Sequence, residues 1–380
     1  MFLKRFIFSV LLIIGWLTLP LHAQQFNPFY SHYSSFKPEA KENLYFRFEN
    51  LNFTKNNEYN GEFVKGATYF GYLATPKLVY YPTSNFRIEA GVRLQKYSGL
   101  SNFSESEPVF SMHYQANEKL SLILGSLNQE DNHHLHEAIF EPERFFTDKG
   151  ENGIQVLYNS KFFKADAWIN WEQFIFQNDP LKEIFTFGLS ADLRLNNSDS
   201  QYSLSIPMQV FFVHRGGEID SSDKNKQTIR NVATGISLKK KMTGSRFKSF
   251  ELEALAFDFN DASEIKEYGS SNGKAIHLRA GVKTEYSDLK IGYWSGDKFN
   301  SARGSALFQS MSVFDNSYVR ERRDLLTAKY RIHKSIAKGI LIGGQLDAYL
   351  DTNSTSDLSY AASVFVKINA EFFLKKLKWN

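Results

Sequence analysis

Basic side chains recur at alternate positions late in this sequence, where they could act together on an anion. Arg279, Lys283, Lys290, Lys329 and Arg331 fall on one face of three neighbouring segments if each segment is extended. Like-charged patches of this kind set selectivity where they line an aqueous passage. We predict that these five residues form a basic wall facing water. The alternative is an ordinary set of charges, each paired with a neighbouring acid.

An acidic stretch, residues 127–152, is the second candidate site. It carries an excess of carboxylates, namely Glu130, Asp131, Glu137, Glu141, Glu143, Asp148 and Glu151, against only Arg144 and Lys149. It also holds Ile139, Phe140, Phe145 and Phe146, which favour packing of the segment against another part of the protein. The alternative is a solvated surface loop.

Metal and enzyme chemistry have weaker support. The run His133-His134-Leu-His136-Glu137 lacks the helical spacing of a zinc hydrolase and is more typical of a polar surface. The sequence has no Cys, which excludes thiolate metal ligands and Cys nucleophiles. No Ser–His pair has an indicative spacing, and His113 and His277 fall on distant segments. We therefore expect no enzymatic activity, no catalytic residues, no metal and no cofactor.

The elements that position these residues are extended strands. In Phe86–Gln95, apolar Phe86, Ile88, Ala90, Val92 and Leu94 alternate with charged or small residues. This period of two predicts a strand with one apolar and one wet face, because successive side chains point to opposite faces. A helix does not give that separation.

The same alternation recurs in about 16 segments, whose connections are mostly short and long in turn. We predict an all-β fold: a transmembrane, antiparallel, up-and-down β-barrel with short periplasmic turns and longer extracellular loops. An even strand count lets the last strand pair with the first and removes the open edge. The apolar face then points to lipid and the charged face to an aqueous interior. A secreted β-sandwich is the alternative.

The N-terminus indicates export. Lys4 and Arg5 precede a largely apolar run, and Ala23 is a small residue at its polar end. This order is typical of a secretory signal peptide, so we predict a signal peptide over 1–23, a short periplasmic segment over 24–43 and the barrel over 44–380. The formal net charge of +4 does not indicate a nucleic acid partner.

The chain resembles the porin-type outer-membrane β-barrels of Gram-negative bacteria over its whole mature length. The resemblance implies a location in the bacterial outer membrane, passive diffusion of small hydrophilic solutes, and contact with lipid, lipopolysaccharide and the barrel-assembly machinery. It also implies a possible homotrimer. In the general porins the third long loop forms a constriction, which assigns that role to Glu130, Asp131, Glu137, Glu141 and Glu143. The alternative is a non-conducting barrel of a secretion, gliding or adhesion complex, since Gln24–Tyr33 is similar to the opening of such barrels in Bacteroidetes.

Overall fold

The computed structural model describes residues 29–30, 35–197, 200–353 and 358–378. These residues form sixteen strands. Their bounds are β1 Asn43–Glu58, β2 Thr68–Thr83, β3 Phe86–Tyr97, β4 Glu105–Gln115, β5 Leu120–Ser126, β6 Asn152–Asn159, β7 Phe163–Gln173, β8 Glu183–Arg194, β9 Tyr202–Gly216, β10 Gln227–Lys241, β11 Ser249–Asp261, β12 Asn272–Lys283, β13 Ser287–Asp297, β14 Arg322–Ala337, β15 Ile340–Asp351 and β16 Leu358–Lys376.

Each strand pairs antiparallel with its neighbours in sequence, and β1 pairs with β16 to close the barrel. Closure satisfies the backbone hydrogen bonds of both terminal strands, which a bilayer cannot do. The prediction of an all-β, sixteen-stranded, up-and-down barrel is confirmed. The predicted signal peptide lies outside the described residues.

Short turns join the strands at one end of the barrel and longer loops at the other, so the short-turn end is the periplasmic one. Two long loops matter below. We call residues 127–151 loop L3 and residues 298–321 loop L7. Loop L3 contains a short helix α1, Arg144–Thr147, and a 3₁₀ turn, Glu130–His134. In the described part of the chain, no helix is long and apolar enough to cross a membrane.

The outer face of the barrel carries the apolar side chains. On β5 and β6, Leu122, Leu124 and Ile154 are 41%, 42% and 46% exposed, as expected for side chains that meet lipid. The alternate residues point inward and are mostly buried, although many are charged. The buried core therefore lies inside the barrel, and the two long loops supply much of it.

Phe29 and Tyr30, from the segment predicted to be periplasmic, also lie inside the barrel. The Phe29 ring stacks on Phe365 of β16 with centroids 4.7 Å apart. Tyr30 contacts Phe146 of α1, with ring centroids 6.0 Å apart. Phe29 and Tyr30 thus fill part of the interior.

Candidate functional sites inside and outside the barrel

Loop L3 folds into the lumen and is attached to the wall around much of the circumference. Its Glu143 accepts from Lys55 of β1 at 2.6 Å and from Asn57 at 3.0 Å. Its Glu137 pairs with Lys329 of β14 and accepts from the Tyr349 hydroxyl of β15 at 3.1 Å. Loop L3 is therefore packed inside the barrel, and the alternative of a solvated surface loop is excluded.

His133 is the most deeply buried ionic anchor of loop L3. Its Nδ1 lies 2.8 Å from Asp166 of β7, and its Nε2 lies 2.6 Å from Glu151. The ring stacks on Trp168 at 3.8 Å. Burial lowers the pKa of His133, but the carboxylates of Glu151 and Asp166 outweigh this and raise the pKa to about 10. The imidazole is therefore a cation that fixes the loop to β7.

The backbone at this anchor is strained. Asn132, His133 and His134 have φ of 57°, 53° and 57°, a left-handed conformation that L-residues rarely adopt in succession. Each such residue costs about 1–3 kcal/mol and persists only where its surroundings impose it. Here Asn132 Nδ2 donates to the Phe140 carbonyl at 2.7 Å, and the carboxylates hold His133. The structure of the loop thus depends on its contacts with the wall.

Loop L7 packs on loop L3 and completes a plug. Ser301 donates to the Ile139 carbonyl of loop L3 at 3.0 Å. Arg303 pairs at 2.6 Å with Glu172, near the end of β7. Asn231 of β10 donates to the Asn300 carbonyl at 2.8 Å. Buried apolar residues of both loops and the wall form one cluster, which includes Ile139, Phe140, Trp168, Phe211, Trp294, Phe299 and Phe308. We call loops L3 and L7 together the plug.

The residues of the predicted acidic constriction have separate environments. Glu137 and Glu143 are paired as described above. Burial and the nearby Glu143 raise the pKa of Glu141 to about 7. The side chains of Glu130 and Asp131 lie outside the described part of the protein. Three of the five predicted acids are therefore located within the lumen, where two of them are tethers.

All five residues of the predicted basic wall face the interior, but neighbouring acids offset much of their charge. Arg279 pairs with Glu253, and Lys329 pairs with Glu137. Arg331 contacts Asp288 at 2.9 Å. Lys290 is 4.0 Å from Glu251, and Lys283 lies with it at the periplasmic end. The arrangement is therefore close to the alternative of paired charges.

Two histidines inside the barrel, His277 and His113, contact hydroxyl groups, yet their hydrogen bonds do not make them bases. The Ala138 amide donates to His136 Nδ1 at 3.0 Å, so His136 carries its proton on Nε2 and donates to His277 Nδ1 at 2.9 Å. His277 then carries its proton on Nε2, which faces Thr327 at 3.3 Å. Burial, followed by Arg279, lowers the pKa of His136 well below its usual value, which keeps this chain neutral.

His113 also has its ring position fixed by a hydrogen bond to Nδ1. Arg87 donates to His113 Nδ1 at 3.0 Å, which places the proton on Nε2. Nε2 lies 2.9 Å from Ser111, whose hydroxyl donates to the Ser126 carbonyl at 2.8 Å. The imidazole thus donates to the serine rather than accepting from it, and a closed, buried network results.

A different histidine–hydroxyl pair lies on the outer face, at the extracellular ends of β9 and β10. His214 Nδ1 is 3.0 Å from Thr228 Oγ1, and the two residues are directly paired across the strands. Both are half-buried. A Cβ at Gly216 would lie 2.3 Å from His214 Nε2, so the glycine provides the space that the imidazole occupies. When the imidazole carries its proton on Nε2, its Nδ1 can accept a hydrogen bond from the Thr228 hydroxyl.

Cationic side chains lie beside this pair. Arg230 follows Thr228 on the same face of β10 and contacts Asp258 of β11 at 2.9 Å. Lys274 of β12 is paired in register with Asp258. Closer to the periplasm than Asp258 and Lys274, the next outward-facing residues on β9, β11 and β12 are apolar. They are Met208, Ala256 and Ile276. The polar residues therefore lie on the extracellular side of these apolar residues. We call His214, Thr228, Arg230, Asp258 and Lys274 the rim cluster.

One further sequence feature lies near the rim cluster. Gly269-Ser-Ser-Asn-Gly273 has the Gly-x-Ser-x-Gly spacing of an esterase nucleophile elbow. The elbow requires a strand–turn–helix context, whereas this segment runs from a loop into β12. A Cβ at Gly273 would lie 2.0 Å from the Lys298 carbonyl oxygen, so close backbone approach accounts for that glycine. The segment does not form an elbow.

Comparison with solved structures identifies the fold. OccK2 (OpdF) of Pseudomonas aeruginosa, in complex with glucuronate, matches with a TM-score of 0.50 at 9% identity, covering 88% of this chain and 99% of that chain. The outer membrane protein opdK of the same organism gives 0.50 at 7% identity, with 87% and 100% coverage. Comparison with curated proteins finds no match. The protein thus has the barrel fold of these outer-membrane proteins, the fold that the sequence predicted.

The family follows from a match over nearly the whole chain. The family model for the lipid A 3′-O-deacylase type matches residues 36–377, and the chain belongs to this family. The prediction that the protein is not an enzyme is therefore wrong, since the family is one of deacylases. That prediction rests on the inward-facing His113 and His277, whereas His214 and Thr228 lie on the lipid-facing side of the barrel.

Proposed function

We propose that this protein is an outer-membrane hydrolase that removes an ester-linked acyl chain from a lipid-A-type glycolipid. Family membership over residues 36–377 carries the proposal. The rim cluster supports it, because a histidine–hydroxyl pair lies on the outer face at the extracellular ends of β9 and β10, with Arg230 next to Thr228 on that face and Lys274 two strands away. Arg230 and Lys274 suit the anionic headgroup, since guanidinium and ammonium groups bind phosphate oxygens.

The chemistry assigned to the rim cluster is acyl transfer in two steps. Thr228 Oγ1 attacks the ester carbonyl carbon while His214 Nδ1 accepts the hydroxyl proton. The bond from the acyl carbon to the sugar oxygen breaks, and His214 returns the proton to that oxygen. Water, deprotonated by His214, then attacks the acyl-threonine, which releases the fatty acid and restores Thr228.

Purified, refolded protein in lipid A micelles tests this proposal by mass spectrometry of the lipid. Thr228→Val should lower acyl release by about 10²-fold or more, because the nucleophile is lost. Thr228→Ser should retain most of it. Thr234→Val is the matched control, since Thr234 lies on the same face of the same strand, away from His214. Equal activity of Thr228→Val and Thr234→Val would refute the assignment.

A second candidate is passage of small hydrophilic solutes, the function predicted from the sequence. Inward charges on many strands favour it, because such residues are stable only beside water or opposite charges. The plug opposes it, since loop L3 is tethered both to β7 and to β15, which lie on opposite sides of the closed barrel. Passage of solutes therefore requires the plug to move. Conductance measurements on variants of loop L3 test this requirement.

A further inference from the structure

The turn between β10 and β11 is strongly basic. Residues 239–248 contain no acidic residue and five basic ones, namely Lys239, Lys240, Lys241, Arg246 and Lys248. The turn lies at the short-turn end of the barrel, which is the periplasmic end. At its tip, Gly244 has a left-handed φ of 68°, and a Cβ there would meet no other atom within 4 Å. The tip therefore projects away from the rest of the barrel.

Lys240 lies on the outer face of the wall, between two aromatic rings. It is paired in register with Tyr202 of β9 and with Phe250 of β11. These aromatic side chains are 46% and 41% exposed, and the Lys240 ammonium lies 5.3 Å from the centre of the Tyr202 ring. The next outward-facing pair away from the turn is apolar, with Leu238 opposite Leu252. Aromatic rings and a lysine at the edge of an apolar band are typical of a membrane–water interface.

Three lysines of this turn have no acidic partner. Lys240, Lys241 and Lys248 form no salt bridge with any residue that the structure describes. The backbone that carries them is nevertheless fixed to both neighbouring strands. The Lys241 amide donates to the Gln201 carbonyl at 2.7 Å, and the Lys248 amide donates to the Lys283 carbonyl at 2.7 Å. Ammonium groups held together on a fixed backbone favour a partner that brings negative charge.

We propose that this turn, with Tyr202 and Phe250, binds the headgroup phosphate of an anionic phospholipid in the periplasmic leaflet of the outer membrane. The ammonium groups bind the phosphate oxygens, and the apolar face beside Leu238 contacts the acyl chains. A free phosphate ion gains nothing from that apolar face, so the surface favours the lipid. The site lies at the opposite end of the wall from the rim cluster, and lipid binding there does not depend on the proposed deacylation.

Quenching of a tryptophan reporter by brominated lipids tests the proposal, because only lipids next to the indole quench its emission. The reporter variant is Tyr202→Trp, which keeps an aromatic ring beside Lys240. Subtracting the emission of the parent protein removes the contribution of the other tryptophans. In phosphatidylcholine vesicles, brominated phosphatidylglycerol should associate with the reporter at least about tenfold more strongly than brominated phosphatidylcholine, because each basic side chain near an anionic headgroup contributes about fivefold.

Charge variants in the same Tyr202→Trp background identify the groups that bind the lipid. Replacing Lys240, Lys241 and Lys248 together by Gln should lower the preference for phosphatidylglycerol at least about fivefold, because the unpaired charges are removed. Lys240→Arg should retain it, since a guanidinium also binds phosphate. Lys161→Gln is the matched control: Lys161 lies 5.7 Å from the Phe162 ring centre in the turn between β6 and β7. That variant should leave the preference unchanged.

A preference that falls in the triple variant and persists in Lys240→Arg and Lys161→Gln supports the site. Equal quenching of the reporter by the two lipids, or the same loss in Lys161→Gln, would overturn it. Displacement of the brominated lipid by inorganic phosphate at constant ionic strength would also overturn it, since the surface would then bind the free ion. Acyl release from lipid A is measured separately and at the other end of the wall, so the two proposals fail independently.

Discussion

At the scale of single residues, the partner of each histidine decides what that histidine can do. His113 and His136 each receive a hydrogen bond at Nδ1, so their remaining ring proton is already committed. His133 lies between two carboxylates and is held as a cation. His214 contacts a hydroxyl group on the outer face, and its ring faces the space above Gly216. Four residues of the same type thus have three different roles.

The His133 anchor makes the attachment of loop L3 dependent on pH. The pKa of His133 in the folded protein is about 10, against about 6.5 in an unfolded chain. The stabilisation is therefore fully present below about pH 6.5 and is lost as the pH rises toward 10. Glu141, with a pKa raised to about 7 by burial, acts in the same direction, because its favoured neutral form is lost as the pH rises through 7. Proteolysis of loop L3 should accelerate between pH 7 and pH 10.

The control for this prediction is Asp166→Asn, which removes one of the two carboxylates that raise the pKa of His133. Leaving a buried charge without its partner costs on the order of 3–5 kcal/mol, so the loop should be cut faster at pH 7 in this variant. Its cleavage rate should also depend less on pH. A parent protein with the same cleavage rate at pH 7 and pH 10 would contradict the role of His133.

At the scale of elements, the plug controls access through the barrel. Loop L3 contacts β1, β7, β14 and β15, and loop L7 contacts β7 and β10, so their combined attachment spans the lumen. Replacing residues 128–150 with a short Gly-Ser linker should produce stable conductance steps in a planar bilayer, because the lumen loses its apolar cluster. The intact protein should show little conductance under the same conditions.

The matched variant for this experiment shortens an exposed loop that does not enter the lumen. Removing residues 99–102 between β3 and β4 should leave the conductance of the parent unchanged. If the intact protein conducts as well as the variant without the loop L3 segment, the plug does not close the barrel. That result would favour the solute channel as the main function.

The strands could be predicted from the sequence, but the interior could not. Alternation in Phe86–Gln95 predicts both the strand and its faces, since each side chain's face follows from its position. The inward path of loop L3 was left open, because it depends on the distant partners Asp166 and Lys329. Pairing of Arg279 with Glu253 likewise depends on the register of β11 and β12. His214 gave a usable signal, because it is a polar residue at the end of the apolar outward face of β9, which carries Leu204, Ile206, Met208, Val210 and Phe212.

At the scale of the whole molecule, the barrel separates two environments. The outer belt meets lipid, and the plug fills the extracellular part of the lumen. Hydrolysis of a membrane lipid needs access from the bilayer rather than an open lumen. A closed barrel with its chemistry on the outer rim is therefore consistent with membership of a deacylase family.

The most direct test is the mass of lipid A extracted from bacterial outer membranes that carry either the parent protein or His214→Gln. We expect the parent to remove one ester-linked acyl chain. His214→Gln should lower this conversion by about 10²–10⁴-fold, the usual contribution of a general base. Both proteins should be present at equal levels and resist unfolding in the same way. Unmodified lipid A with the parent would contradict the proposed deacylase activity. Equal conversion by both proteins would contradict the role of His214.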